Sequence, residues 1–382
     1  MLHIQKFIQN HPTDWEELLS SEPFLLKIKH KDHRVLFAYR QGQSDYNEPI
    51  VREARGLILD DRDFSVVCMA FTKFFDCHSQ FADEVDWKTV RVQEKLDGTL
   101  ITLYYYEHEW YASTTGNIDA YDAELEAGYI ENFGTLFRIA YYNADLDTSR
   151  LNTANCYMFE LTSPVNRQVV KYEDFRITHI GTRNLHTLKE LETDIGIRKP
   201  IEYPITSLPT AIKYANRKGF DGEGFVAVDA NYNRIKIKSE EWLKWHYLIN
   251  NNHMTVAKAI EIIRGDDYDE FVSNFPVYKE FLEDVSNALN QLEMDANRIL
   301  SISNEFCVNS DNRKEFAQNW FALVLPNLGG DDVKSDKHKY WKSFKDVYFN
   351  SYNNFEYTAQ EWVNSLWDSK LEELIKIVME ID

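Results

Sequence analysis

The feature that most limits how this 382-residue chain can fold is a change of period near residue 245. Before it, short runs rich in β-branched and aromatic residues, at 35–39, 56–59, 66–70, 100–106, 110–113, 156–161, 177–181, 222–228 and 234–238, are broken by Asp, Asn and Gly. That is strand chemistry. Beyond it, apolar residues recur three and four apart, as in Val256, Ile260 and Ile263, or Phe281, Val285, Leu289 and Leu292. The tail over 361–380 repeats the pattern with Trp362, Leu366, Leu371, Leu374 and Ile375. That is helix chemistry. Helical spacing is also expected within 3–30, over 120–142 and over 207–218. The length exceeds one ordinary core, so the chain is expected to be α+β, with a mixed first domain at 1–245 and an all-helical second at 246–382.

The chemistry centres on Val92-Gln-Glu-Lys-Leu-Asp-Gly-Thr-Leu-Ile101. Residues two apart on a strand share a face, so Lys95 and Asp97 are expected to point into one pocket, with Gly98 letting a ligand approach the backbone. A lysine near its ordinary pKa of about 10.4 is a poor nucleophile, so such a site must lower that value or supply cationic neighbours or a metal. Lys236 and Lys238, two apart on an expected strand, either do this or decorate an exposed edge. Glu160 lies inside an apolar strand, where a carboxylate is costly unless paired. Glu223 stands between two glycines in Asp221-Gly-Glu-Gly-Phe, which suits close approach of a ligand and equally a hairpin turn.

Charge and cysteine usage narrow the class. With 62 acidic and 42 basic residues the net charge is -20, so bulk electrostatics repel nucleic acid and any contact with one must be local. Cys68, Cys77, Cys156 and Cys307 form no Cys-x-x-Cys pair, which argues against a zinc or disulfide framework and suits a cytoplasmic location. No apolar run is long enough for a membrane span, and the first residues hold no signal-peptide core.

The lysine stretch is flanked in order by Ala54-Arg-Gly-Leu-Ile-Leu59, Thr72-Lys-Phe-Phe-Asp76, Phe159-Glu-Leu-Thr-Ser-Pro-Val-Asn-Arg167, Asp221-Gly-Glu-Gly-Phe-Val226 and Ile235-Lys-Ile-Lys-Ser239. That set resembles the covalent nucleotidyltransferases, and within them the phage tRNA-repair RNA ligases of the RNA ligase 1 type. The resemblance implies an adenylyltransferase domain of antiparallel sheets and helices. In it Lys95 takes AMP from ATP, with Glu160, Glu223, Lys236 and Lys238 as catalytic partners. Tyr39, Arg55, Lys73, Phe75, Asp97 and Gly98 complete the nucleotide contacts, although an arbitrary Phe more often lies in a core. It places Asn166 and Arg167 near the site, Trp242 where the family has a functional tyrosine, and Asp269 in an acidic run that binds metal or begins a helix. The family's lysine after the motif is replaced by Thr115, which leaves end specificity open.

The implied activity is an ATP- and Mg2+-dependent RNA ligase with three steps: enzyme adenylylation, transfer of AMP to a 5′-phosphate end, and attack by a 3′-hydroxyl. The implied substrate is a nicked tRNA anticodon loop recognised by the helical domain, with a polynucleotide kinase-phosphatase preparing the ends. A monomer in the cytoplasm, that of the host if the chain is phage-encoded, is the simplest expectation. The alternatives are a DNA ligase or capping-type nucleotidyltransferase, which append a β-rich OB module, and a catalytically inactive RNA-binding relative.

Overall fold

The structure, a computed structural model, describes residues 1–127, 130–249, 254–264, 268, 271–272, 275–309, 313–328, 336–353, 358–366 and 368–381. They fall into two compact units, Met1–Asn251 and Asn252–Asp382.

The first unit is built on two five-stranded sheets. One, the lysine sheet, runs Glu202–Tyr203, Arg91–Lys95, Gly224–Val228, Arg234–Lys238, Phe75–Asp76, antiparallel except for its last, parallel pair. The other, the glutamate sheet, runs Glu190–Leu191, Arg176–Asn184, Asn155–Thr162, Thr99–Tyr106, Glu109–Ser113 and is antiparallel throughout. Strand alternation sorts the side chains of the lysine sheet between two faces. Val92, Phe225, Ala227, Ile235 and Ile237 pack beneath the helix Leu208–Arg217 through its Ala211 and Ala215. Each fully buried Phe or Ile of this layer stabilises the fold by about 1.5–3 kcal/mol. The opposite face carries Gln93, Lys95, Val226, Arg234 and Lys236. There Val226 packs with Phe71, Phe74 and Met158 and with Leu100 and Ile180 of the glutamate sheet. The two sheets therefore meet over Phe71 and Phe74. Leu136, Phe137 and Ala140 of the helix Phe133–Asn143 cover the far side of the glutamate sheet.

A four-stranded antiparallel sheet, Lys27–Lys31, Arg34–Ala38, Arg55–Asp60 and Val66–Cys68, packs against the helices His3–Asn10 and Trp15–Ser20. Its first strand, Lys-Ile-Lys-His-Lys, pairs on one side only and stays largely exposed, so it lacks the apolar content that marks the others. The helix expected over 120–142 is cut short. Ala120–Asp122 is a single 3-10 turn, Glu124–Ala127 pairs with Ile130–Asn132, and the helix begins only where Asn132 Oδ1 accepts from Thr135 N at 2.8 Å. Nor is Asp221-Gly222 a hairpin turn, since it ends the 3-10 turn Gly219–Asp221. The hairpin of the two following strands closes instead at Asp229, whose Oδ1 accepts from Asn231 N and Asn233 N at 2.8 and 3.0 Å.

The second unit is helical in its described residues. Its long helix Lys279–Asn309 buries Leu282, Val285, Ala288, Leu292 and Ala296, at the three and four spacing of an amphipathic helix. The tail forms two helices rather than one, Ala359–Ser365 and Asp368–Ile381, the first begun by a Thr358/Glu361 capping box. Asp269 lies outside the described residues. Among the described residues no helix is long and apolar enough to cross a membrane.

Candidate active site

The lysine strand ends at Lys95 and the next strand begins at Thr99 in the other sheet. Leu96-Asp97-Gly98 is thus the crossing between sheets, and the expected shared face of Lys95 and Asp97 is lost because the strand stops before its period reaches Asp97. Asp97 is 3% exposed, and its Oδ2 accepts from Val169 N at 2.8 Å and Val170 N at 2.7 Å. Its own N–H donates to the Tyr172 hydroxyl at 3.0 Å. Gly98 also answers to the crossing rather than to a ligand. A Cβ there would lie 2.3 Å from Leu161 O, while its N–H donates to Glu160 Oε1 at 3.1 Å.

Register builds the centre of the site. Gly224 pairs with Lys95 on one side and Lys238 on the other, and Val226 pairs with Gln93 and Lys236 in the next row. Gly224 has φ +134°, and a Cβ on it would lie 2.1 Å from Ile237 O, so no side chain separates the two lysines. Into that gap reaches Glu223, 4% exposed, with Oε2 2.7 Å from Lys95 Nζ and Oε1 3.6 Å from Lys238 Nζ. Lys238 also lies 4.0 Å from Asp76 and sits over the Trp242 ring at 4.8 Å. Trp242, buried in the helix Glu240–Ile249, stacks in turn on His246 at 4.5 Å.

The electrostatics reverse one expectation. Burial lowers the Lys95 pKa, but the carboxylates of Glu223 and Glu160 outweigh it and hold the ammonium above its ordinary range. The depressed lysine is Lys236, which burial and the cations Arg55, Lys95, Lys73 and Lys238 bring down to about 7. Carboxylates surround the one and cations the other. Burial, with Glu223 adding to it against the pull of Lys95, pushes the Glu160 carboxyl up to about 7. Burial raises Glu223 as well, despite its two lysine partners. Arg55 lies over Phe74 at 5.2 Å, and its Nη1 is buried without a hydrogen-bond partner among the described residues. An orphaned guanidinium nitrogen in such a place is costly unless an anion satisfies it.

Between the sheets these groups enclose a pocket of about 100 Å³, walled by Arg55, Phe71, Phe74, Lys95, Glu160 and Lys236. Phe75, the aromatic singled out from the sequence, packs instead in a cluster with Tyr46 and Phe81. Phe74 is the ring that faces the pocket, at 4.9 Å from Lys236 Nζ. Adjacent phenylalanines on an extended segment point to opposite sides, so the sequence shows that one faces inward without showing which. Lys73 donates to the Tyr39 hydroxyl at 3.0 Å and lies over the Tyr39 and Tyr46 rings at 4.7 and 5.2 Å. Asn166 Nδ2 donates to Thr99 Oγ1 at 2.9 Å and Arg167 Nε to Val169 O at 2.9 Å, so both belong to the loop that clamps Asp97. Thr115 packs against Gly56, beside Arg55.

Among the described residues no three carboxylate, histidine or cysteine side chains cluster as a ready metal cage. Glu160, which lines the pocket, and Glu223, which holds Lys95, are the carboxylates placed to take a divalent cation, whose charge would offset the desolvation that raises both.

Residues 53–195 match the family described as RNA ligase, of the T4 RNA ligase 1 type. A protein of Autographa californica nuclear polyhedrosis virus, named for polynucleotide kinase and RNA ligase functions, is 29% identical over 319 residues. That match covers 76% of this chain and 44% of the viral protein, so the chain spans less than half of that relative. An RNA ligase of Rhodothermus phage RM378 is 25% identical over 395 aligned positions, covering 82% of this chain and 89% of the phage protein. Among solved structures, an archaeal ATP-dependent RNA ligase aligns with 74% of each chain covered, at 15% identity and a TM-score of 0.42.

Proposed function

We propose that this chain, similar over residues 53–195 to RNA ligases of the T4 RNA ligase 1 type, is such a ligase and seals RNA breaks with ATP through a lysyl-AMP on Lys95. The observation that carries this reading is the pocket itself. A partly buried lysine hydrogen-bonded to a buried glutamate lines a cavity that also presents Lys236 and an unsatisfied Arg55 nitrogen. Such a cavity suits a polyphosphate, whose transfer depends on positioning and charge neutralisation.

In the first step Lys95 Nζ forms a bond to the α-phosphorus of ATP and the bond to the bridging oxygen breaks, releasing pyrophosphate. The Lys95 ammonium first gives one proton to Glu223 Oε2, 2.7 Å away, which frees the lone pair, and the second proton that the nitrogen loses on bonding phosphorus leaves with the pyrophosphate. Burial raises the pKa of Glu223, which makes it a stronger base than an ordinary carboxylate. Lys236 and Arg55 balance the phosphate charge. AMP then passes to the 5′-phosphate of an RNA, and a 3′-hydroxyl displaces it. Glu160 would hold Mg2+, which supplies further charge neutralisation, while Glu223 serves as the base. On the family resemblance alone, Asp269 is kept as a candidate metal ligand.

The helical residues beyond the first unit are read as the part that selects the RNA, with a nicked tRNA anticodon loop as substrate and the cytoplasm as location. A polynucleotide kinase-phosphatase would prepare the ends, a reading supported by the joint kinase and ligase name of the nuclear polyhedrosis virus relative. The test is mass spectrometry of the purified chain after ATP and magnesium. One AMP should be found on Lys95, and none should form in Lys95→Ala or in Lys95→Arg, whose guanidinium stays protonated. An adduct on another lysine would overturn the reading.

A further inference from the structure

The cations around the pocket lack partners in a chain with 62 acidic residues. Among the described residues no carboxylate lies within ion-pair distance of Arg52, Arg55, Lys73 or Lys236. Arg55 and Lys236 wall the pocket, and Lys73 is near enough for its charge to help depress Lys236. Arg52 takes no part in the steps above.

Contacts run unbroken from the pocket to Arg52. Lys236 pairs with Asp76 on the parallel edge strand Phe75–Asp76, and the Phe75 ring carries Lys73 Nζ at 5.7 Å and the Arg52 guanidinium at 5.6 Å. Arg52 O accepts from Lys73 N at 2.8 Å. The guanidinium is also fixed by other groups, since its Nε donates to Tyr46 O at 2.6 Å and its carbon lies 5.6 Å from the Phe81 ring. Both terminal nitrogens, Nη1 and Nη2, are left without a hydrogen-bond partner among the described residues. A cation in the last turn of the helix Pro49–Glu53 complements its dipole. That accounts for the charge, but not for a guanidinium fork held in place with its two outer donors unused.

The direction of the chemistry agrees. In-line displacement sends pyrophosphate out on the side of the α-phosphorus away from Lys95 Nζ. Across the lysine sheet from Lys95, Lys236 stands two strands away and Phe75 three, roughly 10 and 14 Å at ordinary strand spacing. With the α-phosphate between Lys95 and Lys236, the leaving group therefore moves toward Lys73 and Arg52. Resting on the ligase reading above, we infer that Arg52 is a pyrophosphate contact, which with Lys73 takes the β- and γ-phosphates of ATP and holds them as they leave.

The test runs the first step backwards on the full chain. Pyrophosphate added to the AMP-bearing enzyme bonds through oxygen to the α-phosphorus, the Nζ–P bond breaks, ATP is released, and the nitrogen recovers its protons from the pyrophosphate and Glu223. Arg52→Gln should raise the pyrophosphate concentration for half-maximal loss of AMP about tenfold or more, and the ATP concentration for half-maximal adduct formation likewise. Arg52→Lys, which keeps the charge without the fork, should fall between. Sealing of a 5′-adenylylated RNA needs no pyrophosphate and should match wild type. An unchanged dependence on pyrophosphate and ATP would sink the inference. So would a loss confined to that sealing, which would place Arg52 on an RNA phosphate, or an equal loss in every step, which would make its role structural. Calorimetric titration of magnesium pyrophosphate into the unmodified chain tests the contact without any reaction, and Arg52→Gln should bind about tenfold more weakly than wild type. If that difference is found but wild type takes no AMP onto Lys95, the contact stands and the ligase reading fails.

Discussion

Acidification should weaken the glutamate sheet through one histidine, His179, which is 3% exposed in the strand Arg176–Asn184. Its Nε2 lies 3.0 Å from Gly181 O, which can only accept, and 2.9 Å from Thr182 Oγ1. Nε2 therefore carries the proton, and Nδ1 is a buried lone pair with no partner among the described residues. A second proton would have no acceptor, and burial pushes the pKa from 6.5 down to about 4. In the unfolded chain the histidine titrates near 6.5, so between pH 6.5 and 4 the unfolded state binds a proton that the folded state does not. Stability from this group is thus complete above pH 6.5 and is lost as the pH falls through that window. At ~1.4 kcal/mol per pH unit the loss is about 2 kcal/mol at pH 5 and about 3 kcal/mol below pH 4. His179→Gln retains a donor for Gly181 O and cannot titrate, so the difference in stability between wild type and variant isolates the effect from every other titrating group. Urea unfolding read by hydrogen–deuterium exchange of peptides spanning 176–184 follows this strand without assuming that both units unfold together. The wild-type advantage should shrink, or reverse, by about 2 kcal/mol between pH 7.5 and 5. A difference that stays constant over that range would refute the argument.

Two further outcomes follow from the pocket. ATP should take up about half a proton at pH 7 in metal-free buffer, because its phosphates raise Lys236 from about 7 toward its ordinary value; calorimetry in buffers of different ionisation enthalpy measures this, and Lys236→Met should lose that share of the uptake. Phe74→Ala should weaken ATP binding with little effect on the aromatic cluster, whereas Phe75→Ala should destabilise the first unit by about 3 kcal/mol; equal effects on both properties from both changes would contradict the assignment of the two rings.

The alternating strands and the helical second half were legible because each buries one continuous apolar face, and that period survives in the sequence. The strand Lys27–Lys31 was hidden because an exposed edge needs no such face. Lys95, Glu160, Glu223, Lys236 and Arg55 could be gathered as one set through the family resemblance of the segments that hold them, and the structure brings these side chains together. Their protonation could not be read, because it depends on which neighbours cross-strand register supplies. Gly224 seats Glu223 between Lys95 and Lys238, which is a matter of pairing, not of distance along the chain. Phe74 was missed in favour of its neighbour for the same reason, and Thr182 and Gly181 around His179 gave no sequence signal at all.

The crossing at Leu96-Asp97-Gly98 changes what its short motif can diagnose. Asp97 fastens one loop by two backbone amides, and Gly98 exists because a carbonyl of the opposite strand occupies the space of a side chain. Two of the motif's letters are thus joinery, required wherever two sheets are connected by so short a span. A chain that kept Asp97 and Gly98 but lost Lys95 would still assemble this architecture and would still answer to a search for the pattern's second half. The aspartate and glycine report the scaffold, and only the lysine reports a reaction.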